Sequence, residues 1–178
     1  MNDDFIPDVV LSDNTSQRLP CIILLDGSSS MSRKVGGISA VSELNAGLQV
    51  LERELKADVV ASQRVQLKVL RIGGGDEVQA VTDWTDAMDF DAPEISAKGT
   101  TPLGAGVLAA LETIEQQKDN YRSHDIPYNR PWLFIITDGG PTDSAVEGSA
   151  DGPADGAAEG STRRAPRCTQ RVMFSCRR

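Results

Sequence analysis

Residues 22–33 read IILLDGSSSMSR, an apolar run that passes directly into an aspartate, a glycine and three serines. The run starts at residue 20, and an uninterrupted apolar segment of this kind is typical of a strand covered on both faces of a sheet. Residues 131–137 form a second such run, PWLFIIT. Each run ends in an aspartate that is followed by a glycine, at Asp26 and at Asp138. Two buried strands with the same polar ending therefore decide which fold to expect.

The chain between these runs predicts a helix, a strand with a short partner, and a second helix. Residues 65–72 alternate like a strand, and residues 77–82 are predicted to pair with it as a hairpin. The acidic segment 83–96 predicts a loop. The second helix is predicted to start with Thr101 as its cap and Pro102 in its first turn. Apolar residues at spacings of three and four define one face of each helix: Ile38, Val41, Leu44, Leu48, Leu51 and Leu55 in the first, and Leu103, Val107, Leu111 and Ile114 in the second.

This order of elements predicts an α/β fold, with a Rossmann-like, mostly parallel central sheet and helices on both of its faces. In open sheets of this kind, ligands bind where the strands end at their carboxyl edge. Asp26 and Asp138 would both lie at that edge, because each follows a strand of the predicted parallel pair. We therefore expect the functional site there.

Charge and composition divide the chain into three parts. The chain has 178 residues and a formal net charge of -8, which argues against binding to nucleic acid or to acidic membrane surfaces. We expect residues 1–17 to form an N-terminal arm and residues 18–147 to form the domain. Residues 148–178 carry 6 basic and 3 acidic side chains and are rich in Gly, Ala and Arg. We expect this tail to be disordered, with one short strand around Val172–Phe174 as the alternative.

A cytoplasmic location is the default expectation. The N-terminal sequence MNDDFIPDVV lacks the basic and apolar regions of a signal peptide. No apolar run approaches the length that a membrane span needs. The cysteines are three in number, Cys21, Cys168 and Cys176, and an odd count does not indicate the disulfide framework of a secreted protein.

Two carboxylates and three hydroxyls are predicted to meet at the carboxyl edge of the sheet. Asp26, Ser28 and Ser30 alternate just past the first strand, so one loop can turn all three side chains toward one point. Thr101 lies at a helix start, and Asp138 lies at the end of the other apolar strand. A set of oxygen donors without sulfur or nitrogen suits a hard cation, Mg2+ or Mn2+. Because hydroxyls are neutral ligands, such an ion would keep positions open for water or for a carboxylate.

Each of these residues also has a plainer structural interpretation. The DGSSSM stretch resembles an ordinary flexible turn. Thr101 can be a helix cap, which is compatible with metal binding. Asp138 can be a turn residue before two glycines. The occurrence of all three loops in order, each at a strand end or a helix start, favours the metal site.

The same three loops resemble those of the von Willebrand factor A (VWA) family. The stretches DGSSSM, GTTPLG and TDGGPTD match the three loops of that family's metal-ion-dependent adhesion site (MIDAS), and the resemblance covers about residues 18–147. The TDGGPTD ending is most similar to the bacterial tellurite-resistance branch of the family. Thr100 is a second candidate for the family's threonine. The metal-binding positions of the family fall on Asp26, Ser28, Ser30, Thr101 and Asp138.

The resemblance implies a domain that binds Mg2+ and uses it to capture an acidic side chain of a partner protein. In the bacterial branch the neighbouring proteins include kinase- and phosphatase-like proteins, which implies a partner of that kind and a role in stress resistance to tellurite or another toxic anion. A complete domain of the family would continue after TDGGPTD with a helix, a strand and a further helix. Here the tail follows instead, so we expect a truncated or frame-shifted domain in which one flank of the sheet lacks its usual cover.

Two alternatives stay open, a metal-assisted hydrolase or phosphatase and a non-functional fragment. The enzyme would use Asp26 or a serine as its nucleophile, but no Gly-x-Ser-x-Gly elbow is present and the single histidine, His124, lies outside the three loops. We therefore predict a protein that is not an enzyme, with no catalytic residues. Residues 73–75 are three glycines that no Gly-Lys-Ser/Thr follows, so they predict a tight turn and not a phosphate-binding loop. Cys168 and Cys176 lack further zinc ligands nearby.

Overall fold

Strands and helices alternate along the residues that the structure describes, which are 17–74, 78–139 and the backbone of 171–176 in this computed structural model. The helices are α1 (Ala40–Ala57), α2 (Val59–Arg64) and α3 (Leu103–Ser123), with one 3-10 turn at Ser29–Ser32. The strands are β1 (Leu19–Asp26), β2 (Lys34–Val35), β3 (Ile38–Ser39), β4 (Val65–Ile72), β5 (Gln79–Ala80), β6 (Thr85–Asp86), β7 (Trp132–Thr137) and β8 (Arg171–Cys176). Within these ranges no helix is both long and apolar enough to cross a membrane.

One sheet organises the chain, and β1 lies at its centre. The strand order is β5-β4-β1-β7-β8, and β6 also pairs with β4. β1 is parallel to both β4 and β7, and β8 is parallel to β7, whereas β5 and β6 run antiparallel to β4. The register places Asp26 beside Ile72 and Leu25 beside Ile136, so the carboxyl ends of the central strands meet at one edge. The predicted Rossmann-like α/β fold with a mostly parallel sheet is confirmed.

Helices cover the sheet on both faces, as predicted. The side chains of β1 alternate between the two cores that lie under these helices. On one face, Leu44 and Leu48 of α1 are buried in the same core as Ile23 of β1. On the other face, Ile114 of α3 is buried with Leu24 of β1. The uninterrupted apolar sequence of β1 is therefore explained by burial on both sides.

The first helix was predicted to include Ile38, but a short hairpin, β2–β3, occupies that part of the chain and α1 begins at Ala40. Ile38 belongs to β3, which pairs with β2, and its side chain is 56% exposed. Gly36 and Gly37 adopt positive φ angles of 62° and 91°, which form the tight turn between β2 and β3. The helix begins after Ser39, whose side chain accepts a hydrogen bond from Ser42 N and caps it.

The second predicted helix, which is α3 in the structure, also begins later than predicted. Its first residue is Leu103, and Pro102 occupies the position before it. The carbonyl oxygen of Thr101 accepts a hydrogen bond from Leu103 N at 2.8 Å. Thr101 therefore lies in a tight turn that leads into α3, and it is not the residue at the cap position.

The acidic segment 83–96 contributes to the core, which its composition does not suggest. It contains β6, and Phe90 and Ala87 are fully buried while Ile95 is 3% exposed. These side chains share the core on the α1 face of the sheet. The hairpin partner predicted at 77–82 corresponds to β5, which is two residues long.

β8 lies in the part of the chain that was predicted to be a tail. It includes the Val172–Phe174 patch and forms the edge of the sheet beside β7. The predicted arm up to residue 16, the last part of the predicted domain (140–147) and the remaining tail residues, 148–170 and 177–178, lie outside the described residues.

A groove of about 920 Å3 lies between α1 and β7 on one face of the sheet in the described part of the chain. We call it the α1–β7 groove. Most of the side chains around it are apolar. They include Leu19, Cys21, Ile23, Leu48, Trp132, Phe134 and Ile136.

Burial of Cys21 in this face predicts a loss of stability at alkaline pH. Burial raises the pKa of the Cys21 thiol from its ordinary value of 9.0 to about 12. As the pH rises, the unfolded chain therefore loses this proton before the folded chain does. The thiol's contribution to the free energy of unfolding is complete below pH 9 and falls by about 1.4 kcal/mol per pH unit between pH 9 and 12. Urea unfolding at pH 8 and pH 11 is expected to show a larger loss for the wild type than for Cys21→Val. Equal losses of stability in the two proteins would contradict a raised pKa for the Cys21 thiol.

Candidate metal centre

Asp26 links the carboxyl ends of β1 and β7. It is the last residue of β1 and is fully buried. Its Oδ1 atom accepts a hydrogen bond from Ser28 N at 2.8 Å, and its Oδ2 atom accepts one from Thr137 Oγ1 at 2.6 Å. Thr137 is the last residue of β7. One carboxylate thus joins the loop after β1 to the end of its neighbouring strand.

Two serine hydroxyls connect this loop to the second carboxylate. The Oγ atoms of Ser28 and Ser30 lie 2.9 Å apart, and Ser30 Oγ donates to Asp138 Oδ1 at 2.7 Å. The 3-10 turn after Ser28 brings the two hydroxyls to the same side of the loop. The structure therefore brings four of the five predicted residues, Asp26, Ser28, Ser30 and Asp138, into one hydrogen-bonded cluster.

The loop after β1, residues 27–32, is called the serine loop below. Thr101, the fifth predicted residue, lies in a loop that is hydrogen-bonded to it. Ser29 N donates to the carbonyl oxygen of Gly99 at 3.0 Å, and Lys98 N donates to that of Gly27 at 2.6 Å. Thr101 is 5% exposed, whereas Thr100 is exposed. Its burial makes Thr101 the better of the two threonine candidates.

Two residues support the cluster without having been predicted to do so. Thr137 Oγ1 holds Asp26 and also accepts from Gly139 N at 3.2 Å. Gly73 lies directly behind the serine loop, and a Cβ atom there would lie 2.6 Å from Ser28 N. The only sequence signals are the hydroxyl at the end of an apolar run and the glycines after β4, and both also occur in ordinary strands and turns.

The donors of the cluster fit a hard divalent cation. Asp26 is a buried carboxylate with neutral hydrogen-bond donors, and no Lys, Arg or His in the described ranges forms an ion pair with it. A buried charge is costly unless an opposite charge compensates it. The neighbouring hydroxyl and carboxylate oxygens are the ligands that Mg2+ and Mn2+ prefer.

The same cluster is a poor match for a site made of charged and nitrogen ligands. The described parts of the chain contain no group of three His, Cys, Asp or Glu side chains that could hold a metal ion. Among the described residues, Asp26 and Asp138 are the carboxylates of the cluster, so hydroxyls would have to complete the coordination. A site of this composition favours a cation that retains water or accepts a further carboxylate.

Three solved structures are similar to this fold at low sequence identity. A mutant of the PilB minor pilin from Streptococcus sanguinis has a TM-score of 0.52 and 13% identity, with 70% of this chain and 30% of that chain covered. The vWF domain of the type V pili tip protein Mfa5 from Porphyromonas gingivalis has a TM-score of 0.52 and 15% identity, with 70% and 39% covered. The pilus adhesin SpaC from Lactobacillus rhamnosus GG has a TM-score of 0.52 and 15% identity, with 71% and 16% covered.

These likenesses define the class of fold. No protein-family model matches the chain, and no curated protein matches it. The chain spans less than half the length of each of the three similar chains. Sheet order, helices on both faces and these neighbours together show that the domain has a VWA-like, Rossmann-like fold.

Proposed function

We propose that this chain is a metal-dependent protein-interaction module that binds Mg2+ or Mn2+ and, through the ion, an acidic side chain of a partner protein. The observation that carries the proposal is the hydrogen-bonded cluster of Asp26, Ser28, Ser30 and Asp138. Within it, the buried carboxylate of Asp26 has only neutral hydrogen-bond partners among the described residues. The fold supports it too, because similar structures include a pilus adhesin and a pilus tip protein.

Each residue of the cluster has a distinct role in this proposal. Ser28, Ser30 and Thr101 would offer hydroxyl oxygens, directly or through water. Asp26 and Asp138 would supply the negative charge, either directly or by holding coordinated waters. When bound, the cation would supply an open position for the partner's carboxylate. Thr137 would keep Asp26 in place, because it donates to the carboxylate oxygen that Ser28 N does not use.

The biological setting of the module is also part of the proposal. The resemblance of the TDGGPTD ending to the tellurite-resistance branch supports a role in resistance to a toxic anion. The same resemblance supports a partner of the kinase- or phosphatase-like kind. Both parts depend on the three motifs, and neither is needed for the metal-dependent capture of a carboxylate.

Ser30→Ala is expected to weaken metal-dependent capture of a carboxylate. The probe is a short peptide with one glutamate, and its binding is measured with Mn2+ and in EDTA; the same peptide with glutamine in place of glutamate should not bind. Ser30 joins Ser28 to Asp138, so its loss should lower the apparent affinity about 10- to 100-fold.

Ser32→Ala is the matched control for this variant. Ser32 lies in the same 3-10 turn, but its hydroxyl donates to the Ser29 carbonyl oxygen and is not part of the cluster. It should bind the peptide as the wild type does. Equal binding by both variants would contradict the proposed site. Hydrolysis of a generic phosphate ester that is lost in Ser30→Ala would favour an enzyme instead.

A further inference from the structure

The α1–β7 groove exposes apolar surface in the middle of the domain. Trp132, Phe134 and Ile136 form its floor on β7 and are only half-buried, as are Leu51 and Leu55 on the α1 side. Contiguous apolar surface of this kind marks a place where something docks. Leu19, the first residue of β1, lies at one end of the groove, and Asp138 lies at the other.

We propose that residues 5–11 of the same chain, FIPDVVL, occupy the α1–β7 groove as an extended segment. The proposal concerns the face of the sheet beside the metal centre and does not depend on metal binding. Residues 12–18 connect the segment to β1, so it is tethered at the end of the groove where Leu19 lies.

The residue pattern of the segment suits an extended cover. In an extended chain, alternate side chains point the same way. Phe5, Pro7, Val9 and Leu11 would then face the groove, while Ile6, Asp8 and Val10 would face away from it. Proline disfavours a helix through this stretch but is compatible with an extended edge segment.

The tether has the right length and the right turn. Residues 12–16 read SDNTS, and such residues favour a reversal of the chain. After that reversal, residues 5–11 would run back along β1. Seven extended residues span about 23 Å, against about 26 Å for the eight residues of β1. The segment is therefore nearly as long as β1.

The other long connection of the chain suits this groove less well. Residues 140–170 join β7 to β8 and contain Val146 as their only large aliphatic or aromatic residue. α1 connects β1 to β4 on one face, and α3 connects β4 to β7 in the opposite direction on the other face. The step from β7 to β8 continues in that second direction, so a right-handed connection would cross the α3 face.

Disulfide trapping tests this docking in the full-length chain. Val9→Cys is combined with Gly47→Cys on α1, in a background of Cys21→Val, Cys168→Ser and Cys176→Ser. Gly47 borders the groove, and a Cβ atom there meets nothing within 4 Å, so the change should not disturb the fold. The control pairs Val9→Cys with Leu108→Cys, which is 57% exposed on α3.

An intramolecular disulfide is expected to form at least about tenfold faster with Gly47→Cys than with Leu108→Cys, because docking raises the local concentration of the thiol. Equal rates would show that the segment does not dock, and would overturn the proposal. A disulfide-linked dimer as the main product would overturn it in favour of a second copy of the chain in the groove.

Tryptophan fluorescence provides a second, independent measurement. In a Trp84→Phe background, Trp132 reports on the floor of the groove. Replacing Phe5, Val9 and Leu11 with serine should shift its emission to the red and increase quenching by acrylamide. The control replaces Val59, Val60 and Leu108 with serine, three exposed apolar residues away from the groove. An unchanged emission in the first variant would count against the proposal.

Discussion

Asp26→Asn is expected to lose the stabilisation by metal ions while the domain stays folded. Asparagine can keep both bonds of Asp26, since its carbonyl oxygen accepts from Ser28 N and its amide can donate to Thr137 Oγ1. Thr137 is then free to turn its proton to the carbonyl oxygen of Gly139, 3.1 Å away. The change removes a buried negative charge and little else, so the metal-free protein should be as stable as the wild type or more so.

Thermal melts in EDTA and with Mg2+ or Mn2+ measure this effect. A metal at a hundred times its Kd stabilises the folded state by about 2.7 kcal/mol, which raises the Tm of a chain of this size by about 5–10 °C. The wild type should show this rise and Asp26→Asn should not. Asp83→Asn is the control, because the Asp83 side chain is 99% exposed. A full rise in Asp26→Asn would show that the metal binds elsewhere.

Gly73→Ala is expected to be the most destabilising single change around the centre. Gly73 has a φ of 93°, and a Cβ atom there would lie 2.6 Å from both Gly27 C and Ser28 N. The backbone conformation alone costs an alanine about 1–3 kcal/mol, and the overlap adds to this because two backbone segments must separate. We expect a total loss of at least about 3 kcal/mol in urea unfolding.

Gly37→Ala separates the two contributions. Gly37 has nearly the same φ, 91°, but a Cβ atom there meets nothing within 4 Å. It should therefore show the conformational cost without the overlap. An equal loss in the free energy of unfolding for the two variants would mean that Gly73 is needed for its backbone conformation alone and not for its close contact with the serine loop.

The central strands and the cluster at their ends could be predicted from the sequence because each leaves a local pattern. Strands buried on both faces are apolar without interruption, which located β1 and β7. Parallel strands end at the same edge, so Asp26 and Asp138 could be expected to lie close together. The structure joins them through Ser28 and Ser30, two residues that the loop pattern had already indicated.

The remaining features depend on contacts between distant parts of the chain. Phe90 is fully buried although aspartates flank it on both sides, because the sheet supplies a core that the local sequence does not reveal. Arg18 is also fully buried, with its guanidinium bonded to Asp86 at 2.9 Å. The hydroxyl of Thr137 at the end of an apolar run and the glycine at position 73 are signals that ordinary strands and turns share. They do not identify these residues as supports of the serine loop, because their partners lie on β1 and the loop after it.

The bond between Thr137 and Asp26 spans 111 positions of the chain, and that between Ser30 and Asp138 spans 108. Contacts of such separation form late in folding, because the entropy of closing a long loop opposes them until most of the chain is in place. The centre is therefore complete only when β1 and β7 already lie side by side. A ligand that needs the complete centre stabilises the native state more than the folding transition state, and it acts mainly by slowing the separation of these two strands. If the proposed metal binds, we therefore expect it to give the domain kinetic stability in addition to its role in recognition.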